Sequence, residues 1–428
     1  MEYNDLINNA YLGPKKYKKR KKIFEKKKNL INNKTSNNNE YKEDNNNIKK
    51  NDEIKSNPKI VKIRNPGIDI LRLICMYFVI MDHLFHCGKG LKKYYYHIKN
   101  LQIIEGCVFW HNDGFALISG IVGYKSNKYS NIFYLWFYVF FYSVSVTLYI
   151  KKFKPNLVNK NDMYKMYYPI VFNQYWYFTS YFGMYLFLPI INKGISIITK
   201  SELKLLITSM VGIFVFWREY KNPREDIFHL CGGFSVLWLL ILYIVGTYIG
   251  KYRVKYTGIK KFLFCLVCIF IFGFSVFLYY ISNNMELYKS NGYFRKKIFK
   301  LIKQMVTRRY DSLVKVMESI SITLFFLQIE YNKYISKIIS FLARVAFGIY
   351  LIHVNPIVFT RILPTIFNNE PINLTLSSTI ILIIGKASKI FFICILIDYI
   401  RFLLFNILRI RKICIFLEKI IWKMIDKF

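Results

Sequence analysis

Arg72 and His83 are the two side chains of this 428-residue chain best spaced to do chemistry together. Eleven residues separate them, which on an α-helix leaves them about 20° apart around the axis and about 16 Å apart along it. They therefore look into one space, one toward each end. The run between them is almost wholly apolar, and Ile68 to His83 reads as a first membrane-spanning helix. An ionisable side chain at membrane depth costs a few kcal/mol or more unless it is paired or hydrated, so it marks a functional path. An imidazole takes up and returns protons near neutral pH. A guanidinium holds phosphate in a bidentate way. Asp69, three residues before Arg72, can pair with it, and a snorkelling Arg72 held by Asp69 is the plain structural alternative.

Other polar residues stand in apolar surroundings. His353 lies near the end of a later span, at about the depth expected for His83. It reads as a second acid/base, as an acceptor-binding group, or as a ring packed beside Tyr350. Ser119 is a candidate donor to a developing oxyanion, against a simple Ser-Gly packing contact. Asp113, with His111 and Asn112, is placed at the outer mouth of the same space. Asp82 projects about 100° from His83 on a helix, so it is not expected to orient that ring. Lys315 with Glu318 and Asp398 with Arg401 read as i, i+3 pairs, the second at a cytoplasmic helix end. Cys265 and Cys268 form a C-x-x-C, but inside an apolar run with no second ligand pair, so packing is expected and no metal. A disulfide among Cys87, Cys107 and Cys231 is left open.

These residues need helices to hold them. The chain is 54% hydrophobic, and apolar runs of roughly bilayer length recur from residue 68 to 405. Ten spans are expected, near 68–87, 106–124, 131–150, 174–191, 205–217, 235–250, 262–281, 313–329, 338–357 and 376–405. The fold class is all-α, a polytopic transmembrane bundle of about ten helices. The first run follows a long polar segment, too late for a cleaved signal. Residues 1–65 are Lys- and Asn-rich and are expected to be disordered. Residues 66–405 form the transmembrane domain, and 406–428 a basic amphipathic cytoplasmic tail. The formal charge of +38 fits a nucleic-acid binder in a soluble protein. Here the basic residues lie between hydrophobic runs, so no nucleic acid is expected and membrane lipid is. Basic residues in the 251–261 loop and the tail put both termini in the cytoplasm, while the basic 282–310 stretch falls outside.

Several stretches together resemble the acyltransferase 3 family of membrane O-acyltransferases. Gly67-Ile68-Asp69-Ile70-Leu71-Arg72 followed by His83 is similar to its first-helix motif, an Arg or Lys, ten residues, then a His. Phe115-Ala116-Leu117-Ile118-Ser119-Gly120 resembles its second-helix element. Trp176-Tyr177-Phe178 through Tyr185-Leu186-Phe187-Leu188-Pro189 resembles its fourth helix. Gly232-Gly233-Phe234-Ser235 with Trp238, Tyr243 and Gly246 resembles its sixth, Gly348-Ile349-Tyr350-Leu351-Ile352-His353 its ninth, and Asp398 with Arg401 its last. The motifs keep family order across about 66–405. The resemblance implies an integral membrane enzyme that moves an acyl group, acetyl foremost, from cytosolic acyl-CoA to a hydroxyl of a glycan or lipid-linked acceptor across the membrane. It makes Arg72, His83 and His353 the catalytic candidates, and Asp69, Asp113, Ser119, Trp176 and Tyr350 a tunnel for donor or acceptor.

The chemistry of the residues agrees. Acyl transfer to a hydroxyl needs a base as the carbonyl is attacked, and His83 can supply it or carry the acyl group briefly itself. Arg72, inside the cytoplasmic end, suits the phosphates or the pantetheine arm of acyl-CoA. The competing reading is a transporter or channel whose Arg72/His83 face lines a solute path; inverted repeats would favour it, and none is evident.

Overall fold

The structure is a computed structural model that describes residues 65–126, 128–217, 226–284, 302, 306 and 308–426. The extension expected over 1–65 lies, but for Asn65, outside the described residues, and so does most of the 282–310 stretch. Among the described residues there are helices and no strands.

Helix α1 (Pro66–His86) begins as its sequence dictates. The Asn65 side chain accepts the Gly67 amide at 2.9 Å, and Pro66 occupies the first helical position, where its missing N–H is no loss. The helix then runs unbroken, so Arg72 and His83 do share a face. The second expected span is interrupted. Helix α2 (Ile98–Val108) ends, Phe109 and Trp110 turn the chain, and α3 (His111–Gly123) starts afresh. At 13 residues α3 is only about 20 Å long, too short to cross a bilayer alone. The apolar character of Phe109 and Trp110 concealed this break. Helices α4 (Ser130–Phe153) and α5 (Trp176–Ile197) follow, then α6 (Lys200–Val211), opened by a Thr199/Glu202 capping box. Helices α7 (Val236–Tyr252), capped by Ser235, α8 (Gly258–Asn283) and α9 (Leu313–Gln328), capped by Ser312, come next. The ninth expected span is also divided, into α10 (Lys333–Leu342) and α11 (Ala346–His353). Helix α12 (Leu376–Ile407) is the longest, and α13 (Ile410–Ile425) turns away from it at Arg409, whose φ is 52°.

Four stretches are long and apolar enough to cross a membrane by length and composition: Ser130–Phe153, Gly258–Asn283, Lys333–His353 and Leu376–Ile407. Helix α1 is as long but carries Asp69, Arg72 and Asp82. It lies centrally, packed by α2, α3, α9, α10, α11 and α12. Large apolar side chains such as Phe270 on α8 and Ile400 on α12 face outward. In water such faces would be an aggregation hazard; against lipid they are expected.

Two ends can be told apart by their contacts. At the Arg72 end, Ser340 donates to Asp69 at 2.8 Å and the Tyr256 amide donates to Gln328 at 3.1 Å. The Tyr185 hydroxyl there donates to the Lys128 carbonyl at 2.9 Å. The 251–261 loop and the start of α1 thus share one end. At the His83 end, His86 meets Glu105 at 2.7 Å, and Asn284 donates to Gln102 at 3.0 Å.

Helices α3 and α7 make the closest approach. A Cβ on Gly120 would run into the Tyr243 carbonyl, and one on Gly246 into the Leu117 carbonyl. Backbone cannot give way as a side-chain tip can. Gly246→Leu is therefore expected to cost at or above the roughly 3 kcal/mol upper end of ordinary overpacking. The loss would be read as the melting temperature in detergent. Gly385→Leu on α12, where a Cβ meets nothing within 4 Å, should melt like the parent.

Candidate active site

His83 and His353 come from helices 270 residues apart and meet at 3.1 Å, Nδ1 to Nε2. The His353 Nδ1 lies 2.5 Å from the Ile349 carbonyl, one turn earlier on α11. A carbonyl only accepts, so that nitrogen carries the proton. With both rings neutral, His353 Nε2 keeps a lone pair and accepts from the Nδ1–H of His83. His83 Nε2 is then the basic nitrogen, and among the described residues it has no hydrogen-bond partner. The edge of Phe359 packs on the same ring, centroids 4.9 Å apart. His353 is thus placed to hold the His83 ring in one orientation.

His83 opens on a cleft of about 420 Å³. Its walls combine aromatic faces, Trp176 and Phe172, with the polar Asn173, Gln174, Asp162 and Lys165. Asp162 is engaged by Arg361 at 2.6 Å, and Gln174 accepts from Ser143 at 2.7 Å. Asn173 sits at φ 47°, a left-handed conformation that Asn tolerates better than most residues.

From this cleft a row of phenols runs along α5 toward the Arg72 end. Tyr177, Tyr181 and Tyr185 are spaced by four residues and lie one turn above another, with ring centroids 6.5 and 6.0 Å apart. Tyr350 faces Tyr177 at 6.4 Å. Arg72 lies within electrostatic reach of Tyr181 and Cys75, and its guanidinium donates to Asp69 at 3.0 Å. The hydroxyls of Tyr177 and Tyr350 and the Oδ2 of Asp113 are buried without a hydrogen bond. Buried polar atoms are normally satisfied, so these groups would be suited to hydrogen-bond a polar ligand or water beside them.

Several expectations need correction. Asp113 does not stand at an outer mouth: it is 1% exposed and accepts the Trp238 indole N–H at 3.0 Å. His111 and Asn112 are buried with it, because α3 starts inside the protein. Ser119 donates to the Phe115 carbonyl at 2.9 Å and sits beside Tyr181, two turns away from His111. It is part of the row at the level of Arg72 and not an oxyanion donor beside His83. Asp398 and Arg401 are not at a helix end, since α12 continues to Ile407. They form a fully buried bidentate pair, 2.8 and 2.9 Å, wrapped by Tyr134, Tyr138 and Tyr142. All eight cysteines are free, so no disulfide joins Cys87, Cys107 or Cys231.

Two features were not read from the sequence. Four of the six histidines gather at one place, since His86 and His111 lie near enough to act electrostatically on His83 beside His353. Only their appearance at the ends of separate apolar runs hinted at it. The second is a charge cluster behind them. Asp82, His86 and Glu105 bring ligand atoms within 4.8 Å of one another, but Arg308 lies 3.0 Å from Glu105 and 3.8 Å from Asp82, so an arginine supplies the positive charge there. Lys315 and Glu318 pair at 2.7 Å, with Lys315 also donating to the Gly106 carbonyl at 2.9 Å.

Compared with known families, residues 65–398 match the model of the acyltransferase 3 family, described as an acyltransferase domain. No curated protein and no solved structure matches the chain.

Proposed function

The chain belongs to the acyltransferase 3 family, a membrane acyltransferase family, and from that premise we propose that it moves an acetyl group from acyl-CoA to a hydroxyl of a glycan or lipid-linked acceptor. Donor and acceptor approach from opposite ends of the bundle. The observation that carries this reading is the bonding of His83 Nδ1 to His353 at the wall of a cleft, which leaves His83 Nε2 basic.

The step follows from that tautomer. The acceptor hydroxyl oxygen attacks the thioester carbonyl as its proton passes to His83 Nε2. The carbon–sulfur bond breaks, and the departing thiolate takes the proton back from Nε2–H. While His83 is cationic, its bond to His353 becomes charge-assisted and stronger, which favours the charged intermediate over the resting state. Trp176 and Phe172 offer flat apolar faces and Asn173 and Gln174 polar edges, the combination a sugar ring calls for. Arg72 serves the donor, from the end opposite the cleft. The orphan hydroxyls of Tyr177 and Tyr350 lie between the two and suit the amides of a pantetheine arm.

The test uses protein in sealed vesicles with labelled acetyl-CoA on one face only. Ester-linked label should accumulate on a glycan or lipid acceptor at the other face. Flux of intact solute without ester formation would replace this reading with a transporter. Arg72→Met should raise the donor KM about 10- to 100-fold, the scale of a lost charged hydrogen bond, with turnover at saturation much less affected. An unchanged KM would remove Arg72 from the donor path.

A further inference from the structure

We propose that a basic pocket formed with α13 binds the phosphorylated nucleotide end of the acyl-CoA donor. This rests on the acyl-CoA reading above. The pocket, about 400 Å³, lies between the start of α4 and α13, and Lys128, Arg411, Lys419 and Trp422 are among its walls. Helix α13 lies beyond the 65–398 match, so one wall of this pocket is built by a segment outside the shared domain and the other by residues within it.

Three observations point to a phosphate-bearing occupant. Three cations face one carboxylate, Glu418, and that carboxylate is already committed, accepting the Tyr129 amide at 2.7 Å. The bond ties α13 to the head of α4 and leaves the cations of the wall in excess. Trp422 adds an aromatic face, with its ring 6.1 Å from that of Tyr129, which suits a purine beside the phosphates. Finally, the pocket adjoins the phenol row. The carbonyl of Lys128, a residue of its wall, accepts from Tyr185, the Tyr185 ring lies 6.0 Å from that of Tyr181, and Tyr181 lies within reach of Arg72. A molecule with a charged nucleotide head and a slender acylated arm matches that order: head against α13, arm along α5, thioester toward His83. From Tyr185 to Trp176 the helix rises about 14 Å.

The same phosphate chemistry could come from an anionic lipid headgroup, so the experiment separates the two. Full-length protein in phosphatidylcholine nanodiscs is titrated with adenosine 3′,5′-bisphosphate by calorimetry. Saturable binding is expected, and the triple variant Lys128→Gln, Arg411→Gln, Lys419→Gln should weaken it at least tenfold while melting like the parent. In the transfer assay, the ratio of kcat/KM for acetyl-CoA to that for S-acetylpantetheine, which lacks the nucleotide, should fall at least tenfold. Binding that is absent, or unaltered in the triple variant, overturns the proposal. So does a variant that loses only its response to added phosphatidylserine, which would make a lipid headgroup the occupant. Active protein with an unchanged donor ratio sinks the pocket and spares the transferase reading. Bisphosphate binding in a protein that transfers no acyl group upholds the phosphate site and sinks the transferase.

Discussion

Replacing His83 by Ala should lower acyl transfer by about 10²–10⁴-fold, the range that a positioned base contributes. The protein should remain folded and inserted. Of the three rings His83, His353 and His111, His83 alone keeps its basic nitrogen clear of its described neighbours: Nε2 of His353 accepts from His83, and Nε2 of His111 meets the Tyr310 hydroxyl at 3.2 Å. His83→Gln is the sharper variant, since an amide keeps size and hydrogen bonding to His353 yet cannot accept a proton at neutral pH. Initial rates at saturating donor and acceptor measure it. If both variants retain rates within a few-fold of the parent, the base lies elsewhere.

The second large effect is expected at His353. It touches neither donor nor acceptor in the scheme above, and acts by holding His83 in one tautomer. His353→Phe should cost roughly 10²-fold or more, the scale on which the orienting partner of a catalytic imidazole matters. His353→Gln should recover much of that loss, because its amide oxygen can still accept the His83 Nδ1–H. A ring that merely fills space predicts the reverse order, with Phe tolerated and Gln penalised as a buried amide. Comparing the two variants at saturating substrates, alongside their melting temperatures, decides between these roles.

How much of this was legible beforehand depended on distance along the chain. Arg72, Asp69 and His83 sit on one helix, and helical periodicity alone puts them on a common face; the unbroken α1 bears that geometry out. The i, i+3 pairing of Lys315 with Glu318 was readable for the same reason. His353 was harder. Its depth could be guessed, but that it meets His83 depends on how α11 packs on α1, which no local pattern encodes. The break at Phe109–Trp110 was hidden because the residues that turn the chain are themselves apolar, and the one at Ala343–Val345 because a single Arg344 stands in an otherwise apolar run. That error carried over to Asp113, set at a surface it does not reach. The tail could be read as basic and amphipathic, but its mooring through Glu418 to the Tyr129 amide joins residues 289 apart.

The break between α2 and α3 has an electrostatic consequence. A helix end carries roughly half a positive charge on its unpaired amides, and at a surface water dissipates that field. Helix α3 begins with His111 and Asn112 buried, so its positive pole acts in a medium that screens it poorly. Asp113 stands in its first turn with one oxygen still unbonded. The interior next to the histidines is therefore a standing dipole in place before any ligand arrives.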